Sequence, residues 1–467
     1  MRGVRQGDFL SPLLFGLLID RFEGFLRSRL PNHGVPLSNI VLQLLLYADD
    51  LVLMGKNASE LQDMLDTLQE FCSASGLTVN VAKSEVVVFN PPSDMSCTFM
   101  YNGQAMAIKN SFTYLGVLLH SACGLSEVLN IRMEKAQTAM YSVFRRCYAL
   151  KLHNVEVQGR LFDALVTPVL NYGCEVWAAD VLGKISIIKG EKSSEALLLN
   201  FMRQSLGVRK STPRAAMMRE LDRTPLCSMW LYLCLCFYGR IMRRPANDLV
   251  RLCMMEDLAM ARSDCRSSWS YNIQACLRHV GCVNEAENMR QGHVLSAMVA
   301  REKFDQCYHE FVWADLPTGV QSVYDCPDRQ RQGFKLLTYH QWFQPIKKEP
   351  AFWTFEMNHR TDIMALARFR LGSHSLQVEV GRWNGVALRS KRLCPCCTSA
   401  RDDEAHIFIC SEHSKERKEC FGRADMFDEA FTDNKMRLMM NGEEIGFYRS
   451  LVNYLKRISK KRDTDIV

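Results

Sequence analysis

Two groups of residues have the types and spacing to do chemistry. The first is the pair Asp49-Asp50 within Tyr47-Ala48-Asp49-Asp50, set between the apolar runs Val41 to Leu46 and Leu51 to Met54. Adjacent carboxylates repel, and a divalent cation removes the repulsion; Mg²⁺ is typically held by one or two carboxylates plus substrate phosphates. Neighbouring side chains on a strand point to opposite faces, so the pair can share an ion only if a turn breaks the alternation. Asp49 is then the main ligand and Asp50 an auxiliary one. The same residues also suit a solvent-exposed Asx turn capping a hairpin. The second group is Cys394, Cys397, His406 and Cys410, spaced C-x2-C-x8-H-x3-C. Four such donors suit a closed tetrahedral Zn²⁺ site. Pro395 stiffens the first knuckle, and Asp402, Asp403 and Glu404 offer acceptors for the imidazole N–H. Cys396 in place of Cys397, or His413 in place of Cys410, gives alternative ligand sets.

The elements that must position these groups follow from periodicity. Both apolar runs around the acidic pair read as buried strands, with the pair at a tight turn between them. Upstream, the polar loop Met1 to Asp8 sets Arg5, Gln6, Gly7 and Asp8 on flexible backbone that can approach phosphates or a base edge. Ser11-Pro12 offers an N-cap and a first-turn proline for a helix to about Arg29, with Leu13, Leu14, Leu17, Leu18 and Phe25 as its apolar face. A second helix spans Ser59 to Ser73, capped by Ser59. Lys83 precedes a strand, Val86 to Phe89, that should pair near the carboxylate hairpin, where a lysine can protonate a leaving group or neutralise a phosphate. Phe112 to Leu119 is another β-type segment. From Glu127 the pattern turns helical: Leu129, Met133, Ala136, Met140, Val143, Phe144 and Cys147 form one stripe, and Arg132, Lys135 and Arg146 fall together away from it. Such a face is either solvated or tracks a nucleic-acid backbone. Nearer the Cys/His group, Arg370, Arg382 and Arg392 interleave with Phe369 and Trp383, a pattern of cations and rings that suits single-stranded nucleic acid.

Composition limits the classes. A chain of 467 residues, 48% hydrophobic, can bury a large core, and by length it holds about three domains. A net charge of +7 makes anionic partners plausible. The 19 cysteines are mostly dispersed and accompany 24 methionines, which fits a reducing interior better than a disulfide framework. The apolar run Phe9 to Ile19 is interrupted by Ser11 and Pro12 and is too short to span a bilayer. The expected setting is the nucleus or cytoplasm, neither secreted nor membrane-spanning.

The order of motifs adds to their separate meanings. Gly3-Val4-Arg5-Gln6-Gly7-Asp8 with Ser11-Pro12, then Tyr47-Ala48-Asp49-Asp50, then Gly76-Leu77 through Lys83-Ser84-Glu85, then Tyr114-Leu115-Gly116-Val117 together resemble the palm of reverse transcriptases of non-LTR, LINE-type retrotransposons. The resemblance implies an α+β chain: a partial right-hand polymerase palm over 1–122, a helical thumb over 123–185, a mainly helical connector over 186–385, a Cys-Cys-His-Cys knuckle over 386–415 and a basic helical tail over 416–467. It assigns Asp49 and Asp50 to catalytic Mg²⁺ or Mn²⁺, Arg5 to Asp8 to nucleotide and template, Lys83 to the pyrophosphate leaving group, and Tyr114, Leu115 and Gly116 to gripping the primer. The partners it implies are an RNA template and a DNA target or primer. Phe9 departs from the small residue or proline usual in the family, and His406 and Cys410 are one residue closer than the family's common spacing. The family's bridging carboxylate lies on a strand that would precede Met1, so the expectation is that the chain is inactive as a polymerase by itself.

Overall fold

The computed structural model describes residues 7, 9–37, 40–91, 97–122, 125–184, 192–314, 357, 359–381, 384–386, 389–422 and 445–464. Helix and strand are mixed, as the α+β expectation requires. Helix α1 (Ser11–Arg29) carries Pro12 in its first turn, where the missing N–H costs nothing, and Leu10 rather than Ser11 is its cap. Its buried residues are Phe22 and Leu26, in its second half, and Phe22 meets Phe71 of α2 (Ala58–Ser75) with ring centroids 5.1 Å apart. Leu13, Leu14 and Leu17 are exposed, so the face expected at the start of α1 is not part of the described core. Helix α2 starts one turn-position earlier than its sequence suggests. Asn57, not Ser59, is the cap, its Oδ1 accepting the Glu60 N–H at 2.9 Å, and Gly76 ends the helix at φ 69.

Ten short strands accompany these helices among the described residues. They are β1 (Val35–Leu37), β2 (Ile40–Leu42), β3 (Leu44–Tyr47), β4 (Asp50–Leu53), β5 (Glu85–Val87), β6 (Met100–Tyr101), β7 (Gln104–Ala105), β8 (Ala107–Lys109), β9 (Ser111–Tyr114) and β10 (Val117–His120). They pair two by two, antiparallel except for β5 with β8. The run Val41 to Leu46 is divided because Gln43 turns its side chain inward, where Nε2 donates to Leu30 O at 2.5 Å and His33 O at 2.9 Å. A polar side chain tied to backbone carbonyls ends one ladder and lets the next begin. Leu44, Val86 and Tyr101 then join Phe22, Leu26, Met64, Leu68 and Phe71 in one core.

The remainder is helical. Helix α3 (Ser126–Ala149) buries the expected stripe at Leu129, Ala136, Met140, Phe144 and Cys147. After α4 (Val155–Leu161), a π-turn at Phe162–Val166 leads into α5 (Thr167–Asn171), where Pro168 lacks the N–H a regular turn would use. Then come α6 (Cys174–Leu182), α7 (Lys192–Leu206), α8 (Arg214–Glu220), α9 (Leu226–Met242), α10 (Leu249–Arg262), α11 (Trp269–His279), α12 (Val283–Arg290) and α13 (Ala297–Ala314). The described C-terminal helices are α14 (Arg360–Arg370), α15 (Gln377–Val380), α16 (His406–Ile409), α17 (Ser414–Phe421) and α18 (Ile445–Thr464). A single core runs from Val128 in α3 to Ile458 in α18, so the helices expected to form separate thumb, connector and tail share their apolar faces. Trp177 and Trp230 pack edge to face at its centre, 5.2 Å apart. No helix among the described residues is long and apolar enough to cross a membrane.

Candidate metal and nucleic-acid sites

Tyr47 pairs with Asp50 across the β3–β4 hairpin, which leaves Ala48 and Asp49 as a two-residue loop. Ala48 adopts φ 53, a left-handed conformation that a side chain resists, and this is how the turn breaks the strand alternation around the two carboxylates. Asp49 and Asp50 are both exposed. The Tyr114 hydroxyl is pushed above its ordinary range by burial and then by the negative charge of Asp50. Lys83 ends a short 3-10 turn (Val81–Lys83) and is exposed, and the strand that follows it, β5, packs beside β9. The β3–β4 hairpin and the lysine turn thus pack on the small core through Leu46, Leu51, Leu53 and Val81, whereas Val117 and Leu118 of β10 pack against the helical core. Among the described residues, no third carboxylate, histidine or cysteine converges with Asp49 and Asp50 to complete a metal ligand set.

Tyr114, Leu115, Gly116 and Val117 form the second tight turn. Leu115 and Gly116 take φ 45 and 79, the two left-handed positions of a type I′ turn, and Gly116 meets this at no steric cost. The turn is clamped from the helical body. Tyr172 Oη donates to Leu115 O at 2.8 Å, the Arg132 guanidinium donates to Gly116 O, and that guanidinium lies 4.4 Å from the centre of the Tyr172 ring. This corrects the expectation for Arg132. It is buried against the turn instead of presenting its charge to a duplex, and burial pulls its pKa down. Lys135 and Arg146 remain exposed on α3. Tyr172 was not foreseen, because nothing near it in sequence announces a partner 57 residues away.

The Cys/His group is assembled. The donor atoms of Cys394, Cys397, His406 and Cys410 all lie within 4.8 Å of one another, and Cys397 Sγ is 3.3 Å from His406 Nε2. A small β-bridge between Leu393 and Arg401 closes the first knuckle. Thr398 takes φ 54 at its tip, and Thr398 N donates to Cys394 O at 2.9 Å. The His406 N–H donates to Asp403 Oδ1 at 2.9 Å, which starts α16 and brings His406 and Cys410 to face the knuckle. Burial pushes the Cys397 thiol up, yet hydrogen bonds from the Ser399 hydroxyl, the Ser399 and Ala400 amides and His406 hold it down at about 6. Cys410, more deeply buried and beside Cys394 and Cys397, is pushed up to about 12. Thiols crowded this closely without disulfides need a cation before all of them can ionise, which is the condition a thiolate-bound metal satisfies. Asp402, expected to orient the histidine, instead pairs with Arg462 of α18, accepting from both terminal nitrogens at 2.5 and 2.8 Å with its side chain fully buried.

Two further arginines are corrected. Arg370 is buried against Glu220, Nε to Oε2 at 2.9 Å and NH2 to Oε1 at 2.7 Å, each side chain 4% exposed. Arg392 is half-buried and donates to Val386 O at 3.0 Å and Val378 O at 2.7 Å. Arg370 thus ties α14 to α8, and Arg392 ties the segment before the knuckle to α15. Arg5, Gln6, Asp8, Arg382 and Trp383 lie outside the described residues; Gly7 is exposed at φ 85.

Residues 1–119 match the family described as reverse transcriptase (RNA-dependent DNA polymerase). Over 163 residues, 32% of the chain, the sequence is 29% identical to the retrovirus-related Pol polyprotein from type-2 retrotransposable element R2DM of Drosophila melanogaster. Over 83 residues, 18% of the chain, it is 37% identical to the Pol polyprotein from type-1 retrotransposable element R2 of Popillia japonica. Residues 1–119 are thus similar to reverse transcriptases, and both relatives are Pol polyproteins of retrotransposable elements. The aligned stretches span 15% and 12% of those two relatives. Within the reverse transcriptase match lie Arg5 to Asp8, Asp49, Asp50, Lys83 and Tyr114 to Gly116; the Cys/His cluster lies beyond it.

Proposed function

We propose that this chain serves RNA-directed DNA synthesis by a non-LTR retrotransposon. The observation that carries this is the β3–β4 turn presenting Asp49 and Asp50 beside Tyr114, within the segment that matches reverse transcriptases. Asp49 is the main ligand and Asp50 the auxiliary one for Mg²⁺ or Mn²⁺, a pair of which stabilises both the attacking hydroxyl and the leaving phosphate oxygen. Lys83 neutralises charge on the pyrophosphate, Arg5 to Asp8 meet nucleotide and template, and the Tyr114 to Gly116 turn positions the primer end. Two exposed carboxylates hold one ion loosely and cannot fix two at the required separation of about 3.5–4 Å. Synthesis therefore needs a further carboxylate besides those that converge among the described residues. The helices after residue 122 act as thumb and connector, and Cys394, Cys397, His406 and Cys410 hold a structural Zn²⁺. Work on an RNA template and a DNA target places the protein in the nucleus, the cytoplasm or both.

A second reading, a non-catalytic nucleic-acid-binding protein, is favoured by the absence of a third converging ligand at Asp49 and Asp50 among the described residues. Both readings use the exposed cations of α3. Fluorescence anisotropy with an RNA–DNA template–primer is expected to show binding that weakens with salt. Lys135→Ala and Arg146→Ala should each lower the slope of log affinity against log salt by about 1, with little dependence on sequence. A slope unchanged in both variants would remove α3 from the nucleic-acid surface.

A further inference from the structure

We propose that the knuckle holds a second metal ion of the Zn²⁺ class, in an open site made by Cys396, His413 and a shared Cys394. The proposal rests on the Zn²⁺ reading of the first cluster and extends it. The donor atoms of Cys394, Cys396 and His413 lie within 4.8 Å of one another, and Cys394 is the one residue common to this group and to the Cys3His set. A thiolate sulfur has lone pairs for two metals, so sharing requires no new ligand.

The independent observation is His413. Its side chain is fully buried, and neither ring nitrogen has a hydrogen-bond partner. A buried polar group left unpaired costs about 1–3 kcal/mol, and native structures rarely tolerate it without a purpose. The backbone holds the ring there: the 3-10 turn Ser411–His413 follows Cys410 directly, and the His413 N–H donates to Cys410 O at 3.1 Å. A metal bond satisfies one nitrogen of that ring.

Charge fits as well. One divalent ion on three thiolates leaves a negative cluster, whereas a second ion with the Cys396 thiolate brings it to neutrality. Of the cations facing the site, Arg462 is paired with Asp402 and also donates to Cys394 Sγ at 3.8 Å, Lys461 is paired with Glu416 at 3.0 Å, and Arg417 donates to Cys410 O at 2.6 Å. With three protein ligands the second ion keeps a fourth position for water or an incoming donor, unlike the closed first site. Half-buried Cys396 gives that position a path to solvent.

Metal content of the full chain, purified from zinc-supplied cells and measured by plasma mass spectrometry, tests this. Two ions per chain are expected, falling to one in Cys396→Ser and in His413→Leu while circular dichroism stays unchanged. Cys396 is half-buried and its serine variant conserves volume, so it answers the question even if His413→Leu misfolds. One ion in the wild type, unchanged by Cys396→Ser, overturns the second site and leaves the first standing. No ion overturns both, and two ions that persist in both variants overturn the second site, because Cys396 and His413 are then not its ligands.

Discussion

Cys410→Ser, or exhaustive chelation, is expected to unfold the region around the knuckle while leaving the small core around Phe22 and Phe71 folded. Without a cation the thiolates repel one another or must take up protons, and the buried cluster loses the bonds that justify its burial, so metal binding and local folding are one equilibrium. Structural Zn²⁺ in small knuckles contributes about 10–16 kcal/mol of apparent binding free energy near neutral pH. Here part of that is offset, because other contacts tie the unit down: Phe408 stacks on Tyr454 at 5.6 Å, Tyr454 Oη donates to Ile407 O, and Arg462 clamps Asp402. The loss should therefore appear as amide exchange and protease cleavage within 389–422 and 445–464. Residues 11–91 should stay protected, because their core shares no buried residue with the helical one. Equal protection with and without chelator would rule out a structural metal.

Glu220→Ala should destabilise the helical body by about 3–5 kcal/mol, the usual effect of removing one partner from a buried ion pair. The Arg370–Glu220 pair joins α14 to α8 through two hydrogen bonds. Alanine at 220 leaves a guanidinium buried without its carboxylate. The opposite control is as informative. Glu220→Leu combined with Arg370→Met removes both charges and keeps volume, and should recover much of the loss, since burying a charge pair costs desolvation on both sides. Denaturant titration of single and double variants measures this. Additive losses in the double variant would mean that the two side chains do not act as a pair.

What sequence can and cannot reveal divides along one physical line. Local rules placed α1 at Ser11–Arg29 through its first-turn proline, the acidic hairpin through two apolar runs, and the α3 stripe through its 3.6-residue period. The Cys394, Cys397, His406 and Cys410 cluster was legible because knuckle geometry constrains spacing along the chain. The arginines were not. Arg370 faces a glutamate 150 residues away, Arg132 sits under a tyrosine from the turn between α5 and α6, and Arg462 reads as a basic tail yet binds a fully buried aspartate. A cation's position on a helix wheel tells which way it points, and only the fold tells what it meets. Gln43 shows the same for strands: an apolar run looks continuous until one side chain finds carbonyls to hold.

Primer extension on an RNA template, with Mg²⁺ or Mn²⁺ and with Asp49→Asn alongside, tests most directly whether Asp49 and Asp50 are an incomplete metal site. The 467-residue polypeptide, bound to template–primer as judged by mobility shift, is expected to add no nucleotide, and Asp49→Asn to behave identically. Templated incorporation that disappears in Asp49→Asn would contradict this and show that these residues assemble the whole two-metal site by themselves.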